Sequence, residues 1–378
     1  MLLIDRYILW QFISVFVICF VSLAGLFIVA DALGHLDEFV TASEKAGGSL
    51  FTLMASFYGP RLIWILDRTS GVLTLISAMF TIAWFQRHNE MTALMAAGVS
   101  KARIIRPLII AVGVLSLIAA LNRELVIPHF REELSRTTQD LAPDAAKKLV
   151  PLFDNQTGIF INGGKVLTNQ RTIADPSFRM PRELSQYGRH ISAHAAIYYD
   201  ATADHPAGYL FQAISEPHDL TKRASLSLND QPVILTPSDN AWLAADQCFV
   251  VSEIAFDQLV DPNGWRQYSS TWELVQGLYN RSLDFGADVR VTVHARMVQP
   301  VLDLTLLFLG LPLILKGVNR NMFVAIGLCL GVVIGFLLIV LGFQYLGSSI
   351  LLSPVTAVWI PLFLFIPLAA WMAEPIWQ

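Results

Sequence analysis

The chain has 378 residues, of which 54% are hydrophobic and only 15% charged, with a formal net charge of −4. That balance excludes an ordinary soluble globule, and without a basic tail nucleic acid is excluded as a partner. The three cysteines, with no CxxC spacing, exclude a disulfide framework and a thiolate metal or redox centre.

A helix needs about 20 mostly apolar residues to cross a bilayer. Ile8 to Ala30 meets that length. It is too long for a signal-peptide core and no small-residue cleavage site follows promptly, so a retained span is expected. Its far end, Asp31-Ala-Leu-Gly-His-Leu-Asp-Glu, is acidic. Thr69 to Phe85, extended upstream by Leu62 to Leu66, forms a second span that opens on Arg61, Asp67 and Arg68.

The stretch RHNEMTALMAAGVSKAR, residues 87–103, then breaks the apolar sequence. Asn89 is placed to cap a short helix that begins at Glu90, where the acid meets the positive end of the helix dipole. Met91, Leu94 and Met95 share one face, Gly98 supplies a left-handed stop, and Ser100 is placed to cap the next helix. A short helix across the membrane surface with a Met-rich apolar face suits docking into a groove of another protein, with Glu90 set against an arginine there. The plainer reading is a solvated turn whose charges only fix topology. Ile104 to Leu121, entered through Pro107, is a third span.

Asn122 to Arg290 contains no span. Gly158 to Asn162, Ile191 to Tyr199, Gly208 to Ile214, Pro232 to Leu235 and Cys248 to Phe256 read as short strands between polar and Pro-rich turns, the pattern of a sandwich or jellyroll. Ser270 or Thr271 is placed to cap a short helix bearing Leu274, Val275 and Leu278. His190 and His194 sit four apart in strand sequence, about 13 Å from each other, which is too far for a shared metal. Met297 to Leu315, Met322 to Phe343 and Val355 to Met372 complete six spans. The expected division is 1–122, 123–290 and 291–378, an α-helical membrane protein with an inserted all-β domain. Arg6, Arg87, Lys101, Arg103, Arg106, Lys316 and Arg320 cluster on one side, so both termini are expected in the cytoplasm and the large domain in the periplasm.

Ionisable groups within spans are functional candidates. Arg296, Gln299 and Asp303 share a face, which suits the polar lining of a lipid cavity. Arg61, Arg68 and Arg296 would then lie near its outer mouth, where their planar donors meet phosphates. The alternative is internal pairing, for example of Asp303 with Arg68 or Arg296. Gly327, Gly331 and Gly335 form overlapping GxxxG patterns that permit close helix approach, to a partner or within the chain. No catalytic residue is assigned, because no GxSxG elbow is present and Gly163-Gly-Lys165 is not a phosphate-binding GxxxxGK[ST] loop. The residues alone also admit a signalling protein that passes a periplasmic state inward. They admit, too, a lipid-head enzyme using His294 and Asp303.

Glu90-Met-Thr-Ala-Leu-Met-Ala-Ala-Gly-Val-Ser resembles the coupling-helix motif of the LptF/LptG permeases of the lipopolysaccharide exporter. Asp5-Arg-Tyr-Ile at the start, Glu124-Leu-Val-Ile-Pro after the third span, His294-Ala-Arg-Met-Val-Gln-Pro before the fourth and Trp359-Ile-Pro in the last agree in order and spacing. The resemblance implies a permease half that pairs with a second LptF/LptG-type permease and clasps a dimer of a cytoplasmic LptB-like ATPase. ATP and Mg would be bound by that ATPase and no cofactor by this chain. It also implies a periplasmic β-jellyroll that hands lipopolysaccharide to LptC- and LptA-like bridge proteins. Glu90, Met91, Leu94 and Met95 would form the ATPase contact, and the glycine stripe would pack at a lateral gate.

Overall fold

The computed structural model describes residues 3–141, 147–167, 170–182, 188–202, 205–228, 231–315 and 322–377. Lys316 and Arg320, used above for orientation, lie outside them. Six helices among the described residues are long and apolar enough to cross a membrane. The chain divides into two compact units, one of Met1–Leu36, Met54–Phe130 and Gly286–Gln378, the other of Asp37–Leu53 and Arg131–Phe285.

The first helices in chain order are α1 (Leu3–Gly34), α2 (Leu36–Ala46), α3 (Leu50–Arg87), α4 (Glu90–Ala96), α5 (Lys101–Leu121) and α6 (Arg131–Ser135). The third span does not stop at Leu121. It continues through a π turn, Asn122–Val126, and a 3-10 turn, Ile127–Phe130. The membrane unit therefore reaches Phe130, eight residues past the expected boundary, because helical winding carries polar residues beyond the end of the apolar run.

The later helices are α7 (Phe256–Val260), α8 (Pro262–Tyr268), α9 (Thr271–Tyr279), α10 (Ala287–Leu315), α11 (Met322–Ser348) and α12 (Pro354–Trp377). α10 begins ten residues before Met297. Asp288 sits in its first turn, where the helix dipole favours an acid, and Thr292 Oγ1 returns a hydrogen bond to the Asp288 carbonyl at 2.9 Å. α10 packs against α5, α11 and α12, and Leu302, Leu306, Leu307 and Leu311 place it at the centre of the membrane core. Within its apolar window 67% of residues are buried, against 11% in α1 and 22% in α11, so those two helices present the barest flanks. Between membrane helices, close packing of shaped surfaces supplies the attraction that water exclusion supplies elsewhere.

The other unit is built on antiparallel strands: β1 (Lys147–Lys148), β2 (Leu152–Phe153), β3 (Phe160–Ile161), β4 (Lys165–Leu167), β5 (Thr172–Ala174), β6 (Ser177–Arg179), β7 (His190–Tyr199), β8 (Gly208–Glu216), β9 (Leu226–Leu228), β10 (Gln231–Leu235) and β11 (Gln247–Val251). They run β1-β4-β5-β7-β8-β11-β10-β9, with β2, β3 and β6 branching onto β7. Alternate residues of the long strands enter one core, where the Phe178 ring stands edge-on to Tyr209 and Phe211 at 5.6 and 4.8 Å. The buried Tyr209 hydroxyl is satisfied by donating to the Ile254 carbonyl at 3.1 Å. A Cβ at Gly208 would fall 2.3 Å from the Val250 carbonyl oxygen, so the β8–β11 approach requires glycine there. Ser270 caps α9 as expected. Its hydroxyl accepts from Glu273 N–H at 3.2 Å, and Glu273 Oε2 accepts from Ser270 N–H at 2.7 Å.

Cys248 lies wholly within this core, and burial pushes its thiol up to about 12. Only the thiolate reacts, so the folded domain is expected to protect Cys248 from maleimide at pH 8. Peptide mapping checks this, with full labelling expected only after denaturation. Labelling in the folded state would contradict the packing.

Candidate functional site

α4 is set by its two ends. Gly98, at φ +85°, closes it with paired bonds, Gly98 N–H to the Met95 carbonyl and Val99 N–H to the Leu94 carbonyl, both 3.0 Å. The other end differs from expectation. Asn89 takes a left-handed φ of 60° and makes no side-chain cap, because its backbone turns the chain sharply out of α3. Ser100 has the extended backbone of a cap residue, but its hydroxyl makes no capping bond.

The expected docking face is also corrected. Met91 is buried in the core of the membrane unit, and Leu94, Met95 and Val99 pack against that core. Apolar side chains at this spacing had a nearer surface to cover, that of their own bundle. What α4 exposes is Thr92, Ala93, Ala96 and Ala97, with Glu90 half-buried at the edge. The Tyr7 hydroxyl approaches Glu90 Oε1 at 3.4 Å, while the Tyr7 ring leans on Phe85 at 5.4 Å. Gln86 Nε2 donates to the Ile314 carbonyl at 3.2 Å, which fastens the end of α3 to the end of α10.

Deeper in the bundle lies a polar network. Asp67 on α3 is buried and receives Arg123 from the π turn, with Nε at 3.1 and 3.0 Å from its two oxygens and a terminal guanidinium nitrogen at 2.9 Å from Oδ1. This multiple contact is the geometry that suits a guanidinium to a carboxylate. Beside it, Asn122 Nδ2 donates to the Ile63 carbonyl at 3.1 Å. Asp303 is buried near the middle of α10, where Gln299 Nε2 donates to Oδ1 at 2.9 Å and Ser116 Oγ to Oδ2 at 3.3 Å. Among the described residues neither Arg68 nor Arg296, the partners named in the alternative reading, bonds to it; its partners there are two neutral donors. Gly71 makes room for this carboxylate, since a Cβ there would stand 2.3 Å from Asp303 Oδ1.

The remaining candidates do not join that network. Arg61 folds over the Phe57 ring at 3.4 Å and donates to the Phe57 carbonyl at 2.7 Å. Arg68 is exposed and has no ion pair or hydrogen bond among the described residues. Arg296 is half-buried. At the acidic end of α1, Asp31 accepts a hydrogen bond from the Tyr58 hydroxyl at 2.7 Å. A Cβ on Gly327, Gly331 or Gly335 would meet open space among the described residues, so none of those packs onto the stripe. His190 and His194 both point outward from β7, and the described residues contain no cluster of metal-ligating side chains.

The arrangement is thus a membrane bundle with a buttressed polar centre, two bare helices, a small surface helix and an antiparallel β domain set between the third and fourth spans. The family profile described as lipopolysaccharide export system permease LptF/LptG matches residues 6–374. The chain belongs to the LptF/LptG family. A search of curated proteins returned no match. Membership makes the chain a lipopolysaccharide export permease at family level, a multi-pass protein of the inner membrane and a transport subunit, not an enzyme.

Reading the chain as an LptF/LptG permease did not reveal Arg123 or Ser116. Arg123 stands just past the third apolar run, where continuing the helix by half a turn would have kept it in the bundle. Ser116 is one hydroxyl inside an apolar run, and nothing local distinguishes it. The buried face of α3 was similarly disguised. Thr74, Ser77 and Thr81 return their hydroxyls to carbonyls of their own helix at 2.8, 2.6 and 2.8 Å, so a polar sequence packs as a small-residue surface.

Proposed function

We propose that this chain is one half of an ABC-type exporter that lifts lipopolysaccharide, or a related glycolipid, out of the inner membrane. In this reading a second LptF/LptG-type permease completes the lipid cavity. Both termini are cytoplasmic, and an LptB-like ATPase dimer binds ATP and Mg and presses on α4. The β domain is periplasmic and passes the lipid to LptC- and LptA-like bridge proteins. The observation that carries the reading is α4 itself: a short helix seated by Met91 in the membrane core, with a flat alanine face and Glu90 left for a partner. Met91, Leu94 and Met95 then act by joining α4 to the spans, and Glu90 by meeting the motor. The bare flank of α11 with its open glycines supports a partner permease there. Arg68 and Arg296, with the buried Asp303 network behind them, remain the candidates for lining the cavity.

A cysteine placed at Ala93 or Ala97 is expected to cross-link to a nucleotide-binding ABC ATPase in native membranes, and Glu90→Arg to abolish co-purification of that ATPase. Absence of any such capture refutes the coupling role. Gly331→Leu tests the pairing. It is expected to leave the stability of the isolated chain within about 0.5 kcal/mol of the wild type, because its side chain meets no neighbour among the described residues. Recovery of the second permease should nevertheless fall severalfold.

A further inference from the structure

Where α1 and α5 begin, their first turns enclose a cleft of about 270 Å³ lined by Asp5, Leu9, Arg103, Arg106, Pro107 and Ile110. Its lining is tiered. Asp5 and Leu9 are four residues apart on α1, and Arg106 and Ile110 are four apart on α5, so a charged rim lies about 6 Å from an apolar floor. Arg103 and Arg106, spaced i and i+3, share the face that forms the rim.

The rim is not electrically settled. Arg103 forms an ion pair with Asp5 at 3.6 Å, beyond hydrogen-bond distance, and its side chain remains 45% exposed. Arg106 is exposed and has neither an ion pair nor a hydrogen bond among the described residues. Both helices begin here, so both dipoles present their positive ends to the same place. Ile110 is exposed on the flank, and Trp10, also exposed, lies one residue beyond Leu9 at the depth where indoles collect at membrane interfaces. The apolar floor therefore opens sideways toward hydrocarbon.

We propose that this cleft binds an anionic glycerophospholipid, with Arg106 and Arg103 on its phosphodiester and Leu9, Pro107 and Ile110 against the start of an acyl chain. A soluble phosphate would use the rim and leave the floor idle. An acidic protein segment would have no use for a floor that faces the bilayer. Asp5 pairs with Arg103 and holds it at the rim, so Arg106 carries the rim's uncompensated charge. The site lies at the opposite end of the bundle from Arg61 and Arg68 on α3, so it is not the cavity assigned to exported lipid. Which leaflet it samples rests on the orientation proposed above, but the binding itself does not.

The test is native mass spectrometry of the full chain in neutral detergent, titrated with phosphatidylglycerol or phosphatidylethanolamine. One phosphatidylglycerol is expected to be retained in preference to phosphatidylethanolamine. Arg106→Gln should weaken its retention about fivefold, the effect of one cation at a lipid surface. Arg87→Gln removes an equal charge from the same side of the chain and should leave retention unchanged. Glycerol 3-phosphate at equal concentration should not compete. Equal retention of the two lipids, equal loss in both variants, or displacement by glycerol 3-phosphate would each overturn the proposal. So would an Arg106→Gln chain that keeps the lipid but no longer recovers an ATPase. Because no ATPase is needed for the lipid measurement, its failure leaves the transport reading standing.

Discussion

Arg123→Gln is expected to destabilise the membrane unit by about 3–5 kcal/mol, the cost of stranding a buried charge by deleting its partner. Asp67 is only 9% exposed and takes contacts from Nε and a terminal nitrogen of Arg123. With the guanidinium gone, no other cation among the described residues bonds to it. Asp67→Asn should be milder than Arg123→Gln, since an amide tolerates burial better than a lone carboxylate. The double variant should recover most of the loss, because two neutral side chains leave nothing unpaired. Thermal unfolding in detergent of the four proteins measures the coupling directly. Additive losses would show that the pair does not act as a unit.

Gly71→Ala carries the second largest expected effect. One methyl group is added, but it arrives where Asp303 Oδ1 already stands, and that oxygen is held from the other side by Gln299. Aspartate is too short to yield without giving up a hydrogen bond. Overpacking by a methyl costs about 1–3 kcal/mol, and an unsatisfied buried acceptor adds to it. In an Asp303→Ala background the clash disappears, so Gly71→Ala should there cost less than half as much. If the penalty is the same in both backgrounds, helix–helix distance and not the carboxylate sets the need for glycine.

How much of this was legible in the sequence depended on the distance over which each feature is decided. α1 and α12 carry long unbroken apolar runs, Ile8 to Ala30 and Val355 to Met372, and were visible at once. β7 and β8, at ten and nine residues, were found nearly to their ends, while two-residue strands such as β1 and β2 leave no periodicity to read. The start of α10 was missed because Val289, Val291 and Val293 alternate like a strand, although all three are buried in a helix. The residues of α4 were identified and its apolar side correctly grouped, but spacing says which side chains share a face, not what that face meets. The Asp67–Arg123 pair joins residues 56 apart, and Ser116 meets Asp303 across 187, so neither contact has a local signature. The glycine stripe shows the converse. Its spacing was plain, and only the surrounding space could tell that none of the described residues fills it.

The left-handed residues at both borders of α4 have a mechanical corollary. Seven residues make a rod about 10 Å long. It is bordered by the sharp turns at Asn89 and Gly98 and held along one side by Met91, Leu94 and Met95. Under the proposed coupling, a load on the alanine side would reach the bundle through those three side chains and would neither stretch nor unwind the rod. The turns at its ends would let it tilt as one piece, moving the tail of α3 against the head of α5.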